Sequence, residues 1–417
     1  MLLVILIKYN MNRIVLIGNG FDLAHGLKTK YEDFINWYWN ERIRNLKREK
    51  SCILSDCLCT IKNNIGRSWA YLFEYGHINI PLKNVKDIMD WLQNSEYCCI
   101  EMSDFFSNIC QSIETKGWVD IEYEYYNILQ KAIDYKNDYI IDNLNNELEY
   151  IQKLLVEYLM VIDQDKVPQI EINTNIKNQI YSYINSRDIA IESSHTIKEH
   201  IEGVLQLSED EWIQRMENYG YTKRIYHSLL SIYKEKVKIN DIDISNVENE
   251  ILLPNKIMFL NFNYTRVAEK YLLNGGIFHL NYIHGNLNDP HNIIFGYGDD
   301  TNDKYDKIIL SDDNRYLNHI KTFKYLEASN YRDLLYFINS EPFQVFIMGH
   351  SCGSSDRTLL KTIFENTNCV SIKPFYYRKD NNTDNYRDII QNISRNFTST
   401  KLMRDKVVNK LYCSTLS

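Results

Sequence analysis

The sequence predicts an α/β protein: a parallel sheet covered by helices, split in sequence by a long, mainly helical insertion. Three observations predict it. The apolar run Arg13–Ile17 ends in glycine and passes at once into a helical pattern. After Ile257, apolar runs alternate with helical segments, as strand–helix–strand units do. From about Ser51 to Asp243 the apolar residues recur every three or four positions, the period of a helix face.

In chain order, RIVLI reads as the first strand, GNG as its turn and FDLAHGL as the helix that follows. In YEDFINWYWNERIRNLKREK, Phe34 and Tyr38 stand at helical spacing and the basic end suits a helix C-terminus. NVKDIMDWLQN, the stretch from WVDIEYEYY to VIDQ, and SEDEWIQRMENYG read as helices of the insertion. KIMFLNFNYT reads as a strand ending in a polar turn, and RVAEKYLLN as the helix after it. IFHLNYIHGN, NIIFGYGDD, FQVFIMGHSCGSSD and CVSIKPFYY read as further strands, with RTLLKTIFEN as a helix between the last two. The run from Asp312 to Phe343 reads as helical with a solvated charged face. The expected division is residues 11–45 plus 251–380 for a nucleotide-binding core, 46–250 for the helical insertion and 381–417 for a C-terminal tail. The apolar run Leu2–Ile7 is too short to span a bilayer and has no basic region before it, so it does not read as a signal peptide. It is either an extension upstream of a start at Met11 or an extra edge strand.

Composition narrows the function classes. The chain has 417 residues, 44% hydrophobic and 24% charged, with a formal net charge of −8. That is an ordinary globular mix, and its acidity does not suit a large nucleic-acid backbone interface, although a local basic groove stays open. The 32 tyrosines and 6 prolines argue for order. The 9 cysteines form no pair of CxxC motifs, so neither a structural zinc nor any other metal site is expected. Their odd number suits a reducing compartment, and the expected location is cytoplasmic. Cys52, Cys57 and Cys59 fall in a segment read as helical and are taken as buried or free thiols.

Ligands of open parallel sheets bind beyond the carboxyl ends of the strands. Four polar turns follow inferred strands: Gly18-Asn19-Gly20-Phe21-Asp22, Asn261-Phe262-Asn263-Tyr264-Thr265, His284-Gly285-Asn286, and Gly349-His350-Ser351 through Asp356. Glycines at the first turn let a phosphate approach the backbone at a helix N-terminus. GNG lacks the spacing of GxGxxG and the Lys of a P-loop, so a tight strand-to-helix turn explains it equally well. His284 can serve as a general base near neutral pH, or can cap or stack in its loop. Asn263 offers a donor and an acceptor for a ribose hydroxyl or a water, or tolerates an unusual turn. His25 and His350 are placed as pocket-lining, with Asp22 and Asp356 either binding ribose hydroxyls or capping loops. Trp118, Asp120 and Glu122 read as an ordinary helix start with acids at its positive end.

IVLIGNGFDLAHGLKTKYEDF closely resembles the opening of the bacteriophage abortive infection AbiH family. WVDIEYEYY, FLNFNYT, YIHGNL, IIFGYGDD and FIMGHSCGSSD continue the resemblance in order, from about Asn12 to about Phe375. The resemblance implies anti-phage defence by loss of the infected cell. A more distant similarity is to sirtuin-like NAD-consuming domains, which implies a Rossmann-like core. On that similarity Gly18, Gly20 and Asp22 fall on the first nucleotide turn. Asn263 and Tyr264 fall on the ribose- or water-orienting turn, and His284 and Gly285 on the catalytic-base turn. Gly349, Ser351 and Asp356 fall on the adenine-ribose turn. Thr265 stands where that pattern has Asp, the first turn lacks its usual Gly-Ala-Gly form, and the four-cysteine zinc module is missing. Hydrolysis of NAD is then the expected reaction, with NAD as substrate and no tightly bound cofactor. The alternative is a non-catalytic nucleotide-binding sensor or partner protein, and a nuclease is the third reading. Whether the chain is an enzyme stays open. Partners expected are a nucleotide and no membrane, with room for a phage-derived trigger and a homo-oligomer.

Overall fold

Asn12–Ile17, NRIVLI, is a strand buried at every position, as a central parallel strand covered on both faces must be. The structure, a computed structural model, describes residues 10–76, 85–135, 138–221, 249–298, 303–378 and 383–416. The apolar run Leu2–Ile7 and the acids Asp299 and Asp300 of FGYGDD lie outside them. The described strands are β1 Asn12–Ile17, β2 Ile53–Ser55, β3 Cys59–Asn63, β4 Cys98–Met102, β5 Ile257–Asn261, β6 Phe278–Tyr282, β7 Phe343–Met348 and β8 Cys369–Phe375. They fall in two compact units.

The first unit comprises Met1–Gly26, Lys166–Ile293 and Tyr325–Ser417. It holds a five-stranded sheet in the order β6-β5-β1-β7-β8. Every neighbouring pair is parallel. In chain order these are strands three, two, one, four and five, so the winding reverses at β1. IMFLN of β5 and FQVFIM of β7 are fully buried like β1, whereas edge strand β6 is partly exposed. Each large apolar side chain so buried contributes about 1.5–3 kcal/mol relative to exposure.

Residues 166–221, which the sequence assigns to the insertion, belong to this sheet unit. Ile184, Ile197, Ile201, Trp212 and Met216 pack into one core with Met11, Leu253 and Val370. Arg13, fully buried in β1, donates to Ile180 O at 2.8 Å, Ser182 O at 2.6 Å and Gln344 Oε1 at 2.9 Å. It thereby satisfies carbonyls at the end of the helix Thr174–Ile180. The chain after residue 383 returns to β8 through the bridges Ile372–Val407 and Tyr376–Thr415.

The second unit comprises Leu27–Asp165 and Ile294–Lys324. Its helices include Tyr31–Leu46, Ile121–Tyr135 and Asp138–Asp165. It also carries an antiparallel sheet, β2-β3-β4, where the sequence reads helix. Cys52, Cys57 and Cys59 therefore lie on a hairpin. Its turn is closed by Asp56 Oδ1, which accepts the Leu58 and Cys59 N–H groups, each at 2.9 Å. IIFGYGDD reads as a strand, but among the described residues its part 293–298 joins neither sheet, and Tyr297 forms an isolated bridge to Ile320. It is held by side chains instead. Gly296 N–H donates to Glu122 Oε1 at 2.9 Å, Lys321 Nζ lies 3.1 Å from that oxygen, and Tyr297 stacks on Tyr126 at 3.8 Å.

Two helix readings also change. RVAEKYLLN forms a short 3-10 turn, Val267–Tyr271, and the run after Asp312 breaks into Asn314–Leu317, Lys321–Lys324 and Asn330–Ser340. Among the described residues no helix is long and apolar enough to cross a membrane.

Candidate functional site

The sheet register aligns four strand ends. Ile17 pairs with Asn261 and with Met348, and Asn261 pairs with Tyr282. Asn19, Asn263, His284 and His350 are each the second residue beyond one of these matched ends. Backbone pairing alone therefore brings to one edge four polar residues that are remote in sequence.

Asn263 is held in one orientation. Its Nδ2 donates to Gly18 O at 3.1 Å and to Asp22 Oδ1 at 2.9 Å. Both partners are acceptors, so the amide nitrogen must face them. Its backbone N–H donates to Asn261 Oδ1 at 3.1 Å. Both amide hydrogens are thus engaged, and among the described residues nothing donates to Oδ1. What half-buried Asn263 presents is a fixed acceptor, suited to a hydroxyl or a water and unsuited to a phosphate oxygen. Asp22 is 1% exposed, and its second oxygen accepts from Thr265 Oγ1 at 2.6 Å. The Thr that replaces the expected Asp is therefore a donor to the first turn.

His284 and His350 are both buried and face one carboxylate. His284 Nε2 lies 3.3 Å from Asp356 Oδ1, and His350 Nε2 lies 3.5 Å from Asp356 Oδ2. His284 Nε2 also lies 3.0 Å from the hydroxyl of Tyr325, whose ring stacks on the imidazole at 6.1 Å. The Phe262 ring lies 5.1 Å from that of His284 and 4.1 Å from that of His350. Cys352 N–H donates to His350 Nδ1 at 3.0 Å. Cys352 itself sits in the left-handed region, φ 55°, and burial pushes its thiol pKa up, so it is no ready thiolate nucleophile.

The first turn packs backbone against backbone. A Cβ on Gly18 would lie 2.6 Å from His350 Cα, and one on Gly20 would lie 2.8 Å from Gly349 Cα. Gly20 N–H donates to Gly349 O at 2.8 Å. These contacts alone require both glycines, and the helix they open, Asn19–Ala24, has only six residues. Phe21 is buried against His25 and Tyr271, with ring centroids at 4.9 and 5.3 Å. His25 Nδ1 donates to Phe21 O at 2.7 Å, which leaves Nε2 to accept from the Tyr271 hydroxyl at 2.6 Å. Burial lowers the His25 pKa. Both ring nitrogens of His25 are thus committed to local structure.

The other predicted residues flank this group. Tyr264 O accepts Leu287 N–H at 3.3 Å, Gly285 N–H donates to Tyr282 O at 3.0 Å, and exposed Ser351 accepts the Asn392 side chain through its carbonyl at 2.8 Å. Tyr325 is the residue that the sequence reading misses, and Phe262 falls in a singled-out turn without being given a role. Tyr325 has no local motif that could have marked it.

Compared with models of protein families, the sequence matches the one described as bacteriophage abortive infection AbiH over residues 14–377. No curated protein and no solved structure matches.

Proposed function

The chain belongs to the bacteriophage abortive infection AbiH family, whose role is abortive infection against phage, and from that premise we propose that it acts by hydrolysing NAD. The observation that carries the reading is the fixed acceptor of Asn263 beside the His284–Asp356 pair, on register-matched strand ends. The sheet order supports it. Reversal at β1 puts these turns at a switch point, where open parallel sheets bind nucleotides in the crevice beyond the strand ends.

In this reading water is the nucleophile. Asn263 Oδ1 accepts one of its hydrogens, His284 takes its other proton, and its oxygen bonds to the ribose C1′ as the C1′–N bond to nicotinamide breaks. The departing pair returns to the pyridine ring, so the products are neutral nicotinamide, ADP-ribose and one proton. The ribose centre passes through an oxocarbenium-like state. Asp356 supports the cation formed on His284.

The test is nicotinamide release by purified protein at high concentration, with Asn263→Ala and His284→Ala alongside. Loss of a general base costs about 100- to 10,000-fold, so His284→Ala should fall at least about 100-fold while remaining folded, and Asn263→Ala should also lose release as the water loses its acceptor. Wild-type-like release by His284→Ala removes its role as base. Saturable NAD binding without release favours the sensor.

A further inference from the structure

We infer that His284, Asp356 and His350 form a unit with one moving proton: Asp356 is a positioning residue for His284, and His350 is the anchor of Asp356. This deepens the proposed base role of His284, and only its kinetic arm rests on that reading.

The argument turns on which nitrogen of each ring carries hydrogen. The Cys352 N–H at 3.0 Å requires a bare, accepting Nδ1 on His350. The hydrogen of neutral His350 is then on Nε2, the atom that faces Asp356 Oδ2 at 3.5 Å. A proton added to His350 would have to go to Nδ1 and would break the Cys352 bond. Cys352 is fixed in turn, since its carbonyl accepts from Asn396 Nδ2 at 3.0 Å and its φ is 55°. The anchor histidine therefore cannot trade places with the base.

On His284 it is Nε2 that faces the carboxylate. That nitrogen faces Asp356 Oδ1 at 3.3 Å and the Tyr325 hydroxyl at 3.0 Å. A carboxylate only accepts, so Nε2 carries its hydrogen in both the neutral and the cationic ring, and the proton that moves is the one on Nδ1. Phe262, edge-on to His284 at 5.1 Å and against His350 at 4.1 Å, fills the space between the rings with an apolar wall. A proton gained by His284 is thus stabilised by a carboxylate whose other oxygen faces a second histidine. Among the described residues, the titratable groups against His284 are Tyr325, Asp356 and, across the carboxylate, His350.

The experiment is imidazole nitrogen NMR on the full chain labelled at histidine, with His284→Gln and His350→Gln for assignment. In the wild type His350 should show a bare Nδ1 and a protonated Nε2. In Asp356→Asn, with the fold checked by circular dichroism, the titration midpoint of His284 should drop by about one pH unit or more. Asp356→Glu should restore part of it. A wild-type His350 protonated on Nδ1 overturns the inference even if no Asp356 variant folds, and so does an unmoved His284 midpoint in folded Asp356→Asn. Where NAD is cleaved, the acid limb of the rate profile should move down with that midpoint. Absence of NAD cleavage by the wild type sinks the hydrolase reading alone, and the spectra still decide this one.

Discussion

Thr265 Oγ1 lies 2.6 Å from Asp22 Oδ2, both residues are buried, and the other oxygen of Asp22 receives Asn263. One hydroxyl thereby helps to set the direction of the acceptor at the centre of the proposed site. Thr265→Val keeps the shape and removes a donor from a buried carboxylate, which costs about 1–3 kcal/mol. The urea midpoint should fall accordingly, and NAD turnover should fall further as Asn263 loses its fixed direction. Thr265→Ser should retain both. A Val variant with wild-type midpoint and rate would show that Asp22 is oriented without Thr265. Glu122 follows the same logic in the second unit: an acid at a helix start by sequence becomes the buried acceptor for Gly296 and Lys321.

At the scale of elements, strands β1, β5, β7 and β8 are legible in sequence because buried parallel strands are largely apolar runs ending in small or polar residues, and edge strand β6 by its alternation and its His-Gly end. The polar turns are legible for the same reason, and so is the position of Asn263 and His284 beyond matched strand ends. Strands β2 to β4 are not, since three- and five-residue strands such as CTIKN carry too few alternations to stand against a helical background. Ile294–Tyr297 fails the opposite way: its residues are apolar because they pack on side chains of the second unit, with no ladder. The double use of Asp356 depends on tertiary distances that no local pattern records. The entry to β1 shows how an element can be fixed from afar. Met11 N–H donates to His200 Nδ1 at 2.9 Å, and His200 Nε2 donates to Ile251 O at 3.1 Å. Burial, with Arg215 nearby, lowers the His200 pKa to about 3 from 6.5. A depressed folded value means that the stabilisation is present above pH 6.5 and is lost as pH falls toward 3, because the unfolded chain binds the proton first. From pH 6.5 to 5 the loss from this residue should be about 2 kcal/mol. Urea midpoints over that interval should fall more steeply for the wild type than for His200→Gln, and equal slopes would show that His200 is not held neutral.

At the scale of the molecule, the chain is two compact units threaded through one another in sequence, three segments forming the sheet unit and two the other. The four aligned turns all lie in the sheet unit. Family membership adds the setting, phage infection, in which a reaction consuming NAD would end viral replication by starving the host. Such a reaction must be idle before infection, which separates the hydrolase from the sensor in living cells. With wild-type protein, cellular NAD should stay level in uninfected culture and fall after phage addition, before lysis, with nicotinamide rising in step. Asn263→Ala and His284→Ala should keep NAD level after infection and lose protection together. Protection that survives in both variants with NAD unchanged would remove hydrolysis from the defence. Protection lost in both while wild-type cells also keep their NAD would leave the pocket as a nucleotide sensor, its two residues contributing affinity instead of turnover.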